Sequence, residues 1–152
     1  MNVSLEQARA IVRGAMAAGR EHAMMPLTVA VLDAGGHLVA LEREDGSGIM
    51  RVEIATGKAW GALGMGQPSR VLRDRLTDRP HFIAALTAVS GGRFVPVPGG
   101  ILLEQDKQVI GAVGVSGDTS EKDEFCAIAG AGAAGLASRP EAPDPGWQGS
   151  KL

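Results

Sequence analysis

The stretch Gly99–Glu124, GGILLEQDKQVIGAVGVSGDTSEKDE, decides the fold of this chain. Two apolar segments, Ile101–Leu103 and Val109–Val115, surround a polar turn at Glu104–Gln108, and this pattern predicts an antiparallel hairpin. The chain then passes through a glycine- and acid-rich junction into a helix that we predict over residues 120–138. We expect the functional site at this junction, because the free N–H groups of a helix start are exposed there.

Three glycines recur at every third residue through this stretch, at Gly111, Gly114 and Gly117. Glycine weakens a strand, so its presence indicates the close approach of another backbone, a second subunit or a flat ligand. Tight packing against a neighbouring helix is an equally good interpretation. The sequence leaves both open.

Beyond this stretch, the sequence predicts helices and further strands joined by hairpins. The predicted helices cover residues 4–23, 47–64, 69–76 and 80–89, and the further strands cover residues 27–32, 38–41 and 93–97. Ser4 and Gln7 make a capping-box pattern at the first helix, and Ser47 is expected to cap the second. Because hairpins rather than alternating strand–helix units dominate, we predict an α/β fold with a central antiparallel sheet flanked by helices.

The composition is that of one ordinary domain. With 152 residues, of which 45% are hydrophobic, the chain can form a core without metal or disulfide staples. The net charge of −2 and the absence of a lysine or arginine cluster argue against a nucleic-acid partner. No apolar run is long enough for a membrane span. Cys126 is a single cysteine, which excludes an internal disulfide and fits a cytoplasmic location.

We expect the folded domain to cover residues 1–138. Residues 139–152 contain three prolines and two glycines and are predicted to form a C-terminal tail that cannot continue a helix. Trp147 is an unusual residue in such a tail. We interpret it as an anchor on a neighbouring subunit.

Several motifs in this chain resemble the GlcG/HbpS-like family. They are Val29–Arg43 (VAVLDAGGHLVALER), the helix with Ala55 and Lys58-Ala59, Gly99-Gly100, and Gly111–Gly117 followed by Asp123-Glu124. The family includes haem-binding proteins and the C-terminal domain of PduO-type adenosyltransferases. The resemblance implies a profilin-like three-layer α/β/α fold, homo-oligomers from dimers to octamers, and haem or a related tetrapyrrole as ligand.

Two segments depart from the family pattern. The family often has Arg-Met-Asp-Gly where this chain has Arg43–Gly46 (REDG), and Gly-Gly-Val-Pro where it has Gly99–Leu102 (GGIL). In the first segment Glu44 replaces an apolar residue by an acid. Such a change would make a haem groove more polar.

The haem hypothesis needs an axial donor and groups for the haem carboxylates. His22, near the end of the first helix, is the family-like axial ligand, although a histidine there also acts as a helix-end cation. Lys58 and Arg51 are candidates for binding the carboxylates. Backbone groups at Ser116 and Gly117 are candidates for further ligand contacts.

The second hypothesis is an enzyme that acts on a small carboxylate or carbonyl compound in a pocket shared between subunits. Its acid–base residues would be Lys58, Glu53 and His81. Glu44 and the aromatic content of 3% favour it. For Lys58 the sequence leaves open an ordinary surface salt bridge with Glu53 or Glu124. A third hypothesis is an accessory subunit without a ligand.

Overall fold

The computed structural model describes all 152 residues and shows a sheet between two layers of helices. The strands are β1 (Thr28–Asp33), β2 (Leu38–Arg43), β3 (Gly100–Gln105), β4 (Gln108–Ser116) and β5 (Ala137–Arg139). The helices are α1 (Leu5–Glu21), α2 (Arg51–Met65), α3 (Ser69–Leu76), α4 (Pro80–Val89) and α5 (Ser120–Ala133), with a 3-10 turn at Trp147–Gly149. None of these helices has both the length and the apolarity that a membrane crossing requires.

The sheet has the order β2-β1-β4-β3-β5, and every neighbouring pair is antiparallel. Successive strand residues point to opposite faces, so each face has its own core. Val31 and Val113 belong to the core under α1 and α5, whereas Leu32 and Ala112 belong to the core under α2. The predicted three-layer α/β/α architecture with a central antiparallel sheet is therefore confirmed.

Local sequence signals set both hairpins and the first helix. The turn between β3 and β4 consists of Asp106 and Lys107, which have φ angles of 51° and 63°, as a tight hairpin turn requires. The Ser4 hydroxyl accepts from the Gln7 N–H at 3.1 Å, and the Gln7 side chain accepts from the Ser4 N–H at 2.9 Å. The predicted capping box is therefore confirmed, as are the bounds of α3 and α4.

The glycines of β4 are explained by packing within the chain. A side chain at Gly114 would overlap the Ala55 carbonyl of α2, and one at Gly117 would overlap the Pro26 carbonyl. A side chain at Gly111 would likewise overlap the Leu32 carbonyl of β1. Packing against a helix is therefore confirmed at Gly114, where the close approach holds the start of α2 near the end of β4, whereas Gly111 and Gly117 allow the close approach of strand and loop backbone of the same chain.

Two sequence predictions around α2 are wrong. Ser47 does not cap this helix, which begins at Arg51, because the Ser47 hydroxyl lies 2.8 Å from that of Thr28 and is buried there. Residues 93–97 form no strand. They pack instead on the small-residue face of α2, where Phe94 lies against Gly61.

The predicted end of the last helix is also wrong. Helix α5 ends at Ala133 because Gly135 takes a left-handed conformation with φ of 71°, which turns the chain back. The following residues form β5, a strand that the sequence analysis missed and that pairs with the outer side of β3. The C-terminal tail then returns to α5, where Trp147 stacks on Phe125 of the same chain.

Candidate functional site

The junction between β4 and α5 borders an open cleft of about 370 Å³. Its charged lining consists of three cations and two acids, namely Arg51, Arg73, Lys151, Asp118 and Glu121. The first two turns of α2 and α3 contribute the arginines, and the start of α5 contributes the acids. The cleft thus combines positive side chains with the positive end of a helix dipole.

Arg51 is one of two cations of this cleft that form no salt bridge, the other being Lys151. Arg51 is the first residue of α2 and donates to the Ser116 hydroxyl at the end of β4, with a separation of 3.1 Å. It takes part in none of the salt bridges of the chain, whereas Arg73 is paired with Asp74 and Glu121. A planar guanidinium without an acidic partner is suited to bind a carboxylate.

Lys58 lies behind the cleft rather than in it. Its ammonium donates to Asp123 Oδ2 at 3.0 Å and to the Val115 carbonyl at 2.9 Å, and only 2% of the side chain is exposed. Burial lowers the pKa of Lys58 and raises that of Asp123, while the attraction between the two opposes both shifts. The surface salt bridge expected with Glu53 or Glu124 is thus replaced by a buried one with Asp123.

The buried pair fixes the junction itself. Asp123 uses its second oxygen, Oδ1, to accept the N–H of Asp118 at 3.0 Å. Asp118 in turn accepts the N–H groups of Met25 at 2.8 Å and Thr119 at 2.7 Å. Burial alone would raise the pKa of Asp118, but these N–H donors together with the Lys122 ammonium, 3.6 Å away, outweigh burial and hold the pKa below its usual value. Lys58 therefore positions the loop that carries Ser116 and Gly117.

His22 lies at the other side of this loop, at the C-cap of α1, and is exposed. Its ring contacts two other aromatic rings edge-on, those of Phe125 at 5.0 Å and Trp147 at 5.2 Å between centroids. Phe125 follows Glu121 by one turn of α5, so it lies on the same face of the helix as the cleft. His22 and the Arg51 cleft are thus two ends of one surface along the start of α5.

The proposed acid–base residues are not brought together. Glu53 is exposed, and its position five residues before Lys58 places it about 140° away around α2. His81 is exposed at the start of α4, a helix that packs on α3 and not on the β4–α5 junction. Glu44 does not line the cleft and pairs with Arg20 at 3.1 Å.

The sequence analysis missed Arg73 and Phe125 as parts of this surface. Arg73 lies in a short polar helix and gave no distinguishing signal. Phe125 follows an acidic helix start and begins the apolar run Phe125–Ile128, a pattern that is typical of a buried helix face. The spacing of Glu121 and Phe125 at i and i+4 was the available signal that one helix face carries both groups.

The reactivity of the Cys126 thiol tests whether the side chains beneath this surface are packed as described. Its sulfur is buried 3.3 Å from that of Met24, and burial raises the pKa of the thiol from 9.0 to about 12. Since the thiolate is the reactive form, we expect the native thiol to react with a disulfide reagent at pH 8 at least about a hundredfold more slowly than in urea. Equal rates in the native and unfolded protein would contradict the packing described.

Comparison with known proteins gives consistent matches. A family model described as "Haem degrading protein HbpS-like" matches residues 3–132. Protein GlcG of Escherichia coli strain K12 is 38% identical over 120 residues, which cover 75% of this chain and 81% of GlcG.

Two solved structures share the fold. A PduOC–haem complex has a TM-score of 0.81 and 25% identity, covering 90% of this chain and 98% of that chain. A double mutant of HbpS from Streptomyces reticuli has a TM-score of 0.75 and 27% identity, covering 87% of this chain and 86% of that chain.

Proposed function

This chain belongs to the HbpS-like family, and from that premise we propose that it binds haem on the surface between His22 and the Arg51 cleft. The observation that carries the proposal is the placement of an exposed imidazole beside Phe125, one helical turn from the cleft. The solved PduOC–haem complex has the same fold and supports haem as the ligand.

The residues present fit the parts of a haem molecule. His22 is an exposed nitrogen donor and would hold the iron as an axial ligand. The ring of Phe125 offers a flat apolar face to the macrocycle. Arg51 would hold the propionates. Ser116 and Gly117, predicted from the sequence as ligand contacts, are buried and do not line the cleft, and Ser116 instead orients Arg51 through its hydroxyl. Haem, when bound, supplies an iron centre whose reactivity depends on its axial ligand and surroundings.

Lys58 has an indirect role in this proposal. Its ammonium is committed to Asp123 and to the Val115 carbonyl, so it acts as a positioning residue for the loop beneath Arg51. Dimers to octamers of this chain and a cytoplasmic location are not tested by the structure and stay predictions.

The acid–base enzyme receives less support than haem binding. Its three residues, Lys58, Glu53 and His81, do not converge on one cavity: the first is buried in an ion pair, and the other two are exposed on separate parts of the surface. The family match and the haem-bound structural relative also point to a ligand-binding protein.

His22→Ala tests the haem proposal by removing the axial donor. We expect a haemin titration of the wild-type protein, followed by the Soret absorption band, to saturate, and the variant to bind at least about tenfold more weakly with a shifted band. The tenfold change corresponds to the loss of about 1.4 kcal/mol of binding free energy.

His37→Ala is the matched control for this titration. His37 is an exposed histidine in the β1–β2 turn, 3.2 Å from Asp33 and away from α5. We expect its removal to leave the Soret titration unchanged. A His22→Ala protein that keeps both the affinity and the band position of the wild type would place the iron elsewhere.

A further inference from the structure

The end of the chain folds back over the surface that the haem proposal uses. Trp147 stacks on Phe125 with their ring centroids 3.8 Å apart and their planes inclined by 12°. Its ring is also perpendicular to the His22 ring, and the two ring centroids are 5.2 Å apart. The indole therefore covers the flat face of Phe125 and one side of the candidate axial ligand.

The last residues reach the other end of the same surface. The Ser150 hydroxyl lies 2.6 Å from that of Thr119, the N-cap residue of α5. Lys151 and Leu152 then line the cleft that contains Arg51. One short segment, Asp144–Leu152, thus spans both the aromatic end and the arginine end, and we call it the strap.

A buried clamp holds the beginning of the strap. Glu124 is fully buried and accepts the N–H of Asp144 at 3.3 Å. Arg70 lies 3.2 Å from the other oxygen of Glu124 and donates to the Ala142 carbonyl at 3.1 Å. The clamp ties the first residue of the strap, Asp144, to α3 and α5, so residues 145–152 can leave the surface while their point of attachment stays in place.

The strap itself is held by few interactions. It forms no strand, and its regular structure is limited to the three-residue turn at Trp147–Gly149. The Trp147 ring and the Ser150 hydroxyl provide its side-chain contacts with α5 and α1. A stacked aromatic pair and one hydrogen bond each contribute about 1 kcal/mol, so local detachment costs far less than global unfolding.

We propose that the strap is an internal competitor of the ligand: it covers the proposed haem site, and haem binds by displacing Trp147 from Phe125. This inference rests on the proposed function. It predicts that the free protein divides between covered and open forms and that the affinity for haem is reduced by the fraction that is open.

Trp147→Ala tests this competition because it removes the stack and leaves Phe125 and His22 in place. We expect the variant to bind haemin about two- to tenfold more tightly than the wild type, the range that corresponds to the free energy of one aromatic pair. Gln148→Ala is the matched control, since Gln148 is the adjacent exposed residue, and we expect it to leave the affinity unchanged.

The outcomes separate the competition from the haem proposal. If both proteins bind haemin through His22 with equal affinity, or if Trp147→Ala binds more weakly, the competition is wrong while haem binding stands. If neither protein binds, both proposals are wrong. Hydrogen exchange gives an independent readout: we expect saturating haemin to accelerate exchange in residues 146–152 of the wild type, and unchanged protection there in the bound protein would overturn displacement.

Discussion

Gly114→Ala is expected to destabilise the fold by more than about 3 kcal/mol, at the upper end of the range for overpacked cores. Gly114 lies near the C-terminal end of β4, and a Cβ atom there would overlap the carbonyl oxygen of Ala55. Because this neighbour is helix backbone, no side-chain rotation can relieve the overlap, and α2 has to move away from the sheet. Urea unfolding followed by far-UV circular dichroism measures the loss.

The same substitution at Gly132 is the control for Gly114→Ala. Gly132 lies in α5, and a Cβ atom there would meet no atom within 4 Å. Since alanine favours a helix over glycine, we expect Gly132→Ala to be neutral or to stabilise the protein by up to about 1 kcal/mol. Similar effects of the two substitutions would contradict the close approach of α2 to β4.

The parts of the fold that the sequence predicted correctly depend on neighbours in the chain. The capping box needs Ser4 and Gln7 alone, and the prolines at 68 and 80 mark the starts of α3 and α4. Ser47 shows where such reasoning fails. Its side chain is suited to cap a helix, but the Ser47 hydroxyl instead forms a hydrogen bond with the hydroxyl of Thr28, which lies 19 residues away in the sequence.

The candidate site was predicted less completely because its contacts span long distances in the sequence. Arg51 and Ser116 were both identified, and the structure joins them across 65 residues. The partner of Lys58 was misassigned to Glu53 or Glu124, although Glu124 is adjacent to the true partner. Neighbouring residues on a helix point about 100° apart, so Asp123 faces Lys58 while Glu124 faces Arg70.

Asp123→Ala is expected to cost about 3–5 kcal/mol of stability, because it leaves the buried ammonium of Lys58 without its partner. Asp123 is 1% exposed, and its carboxylate also holds the Asp118 N–H at the start of α5. Lys58→Met leaves the opposite charge unpaired and is expected to have a similar effect. Chemical unfolding of the single variants Lys58→Met and Asp123→Leu and of the double variant Lys58→Met/Asp123→Leu forms a closed double-mutant cycle.

The cycle shows whether the Lys58 and Asp123 side chains stabilise each other or whether each substitution only removes its own packing contacts. Replacing both charges by apolar side chains of similar size is often neutral, so we expect the double variant to lose much less stability than the sum of the single variants. Additive losses would mean that the two side chains do not stabilise each other. Such a result would remove the basis for assigning Lys58 a positioning role.

The pH dependence of Asp123→Ala gives the same test a second readout. Burial already lowers the pKa of Lys58 from 10.5, and loss of the carboxylate lowers it further. Between that lowered pKa and 10.5 the unfolded chain binds more protons than the folded one, so the stability of the variant rises with pH. The Cys126 thiol acts in the opposite direction above pH 9, and because burial and the Asp123 charge both raise its pKa, loss of the carboxylate weakens this opposing effect in the variant. The stability deficit of Asp123→Ala relative to wild type should therefore shrink between pH 7 and pH 10, whereas a loss of packing alone would leave it constant.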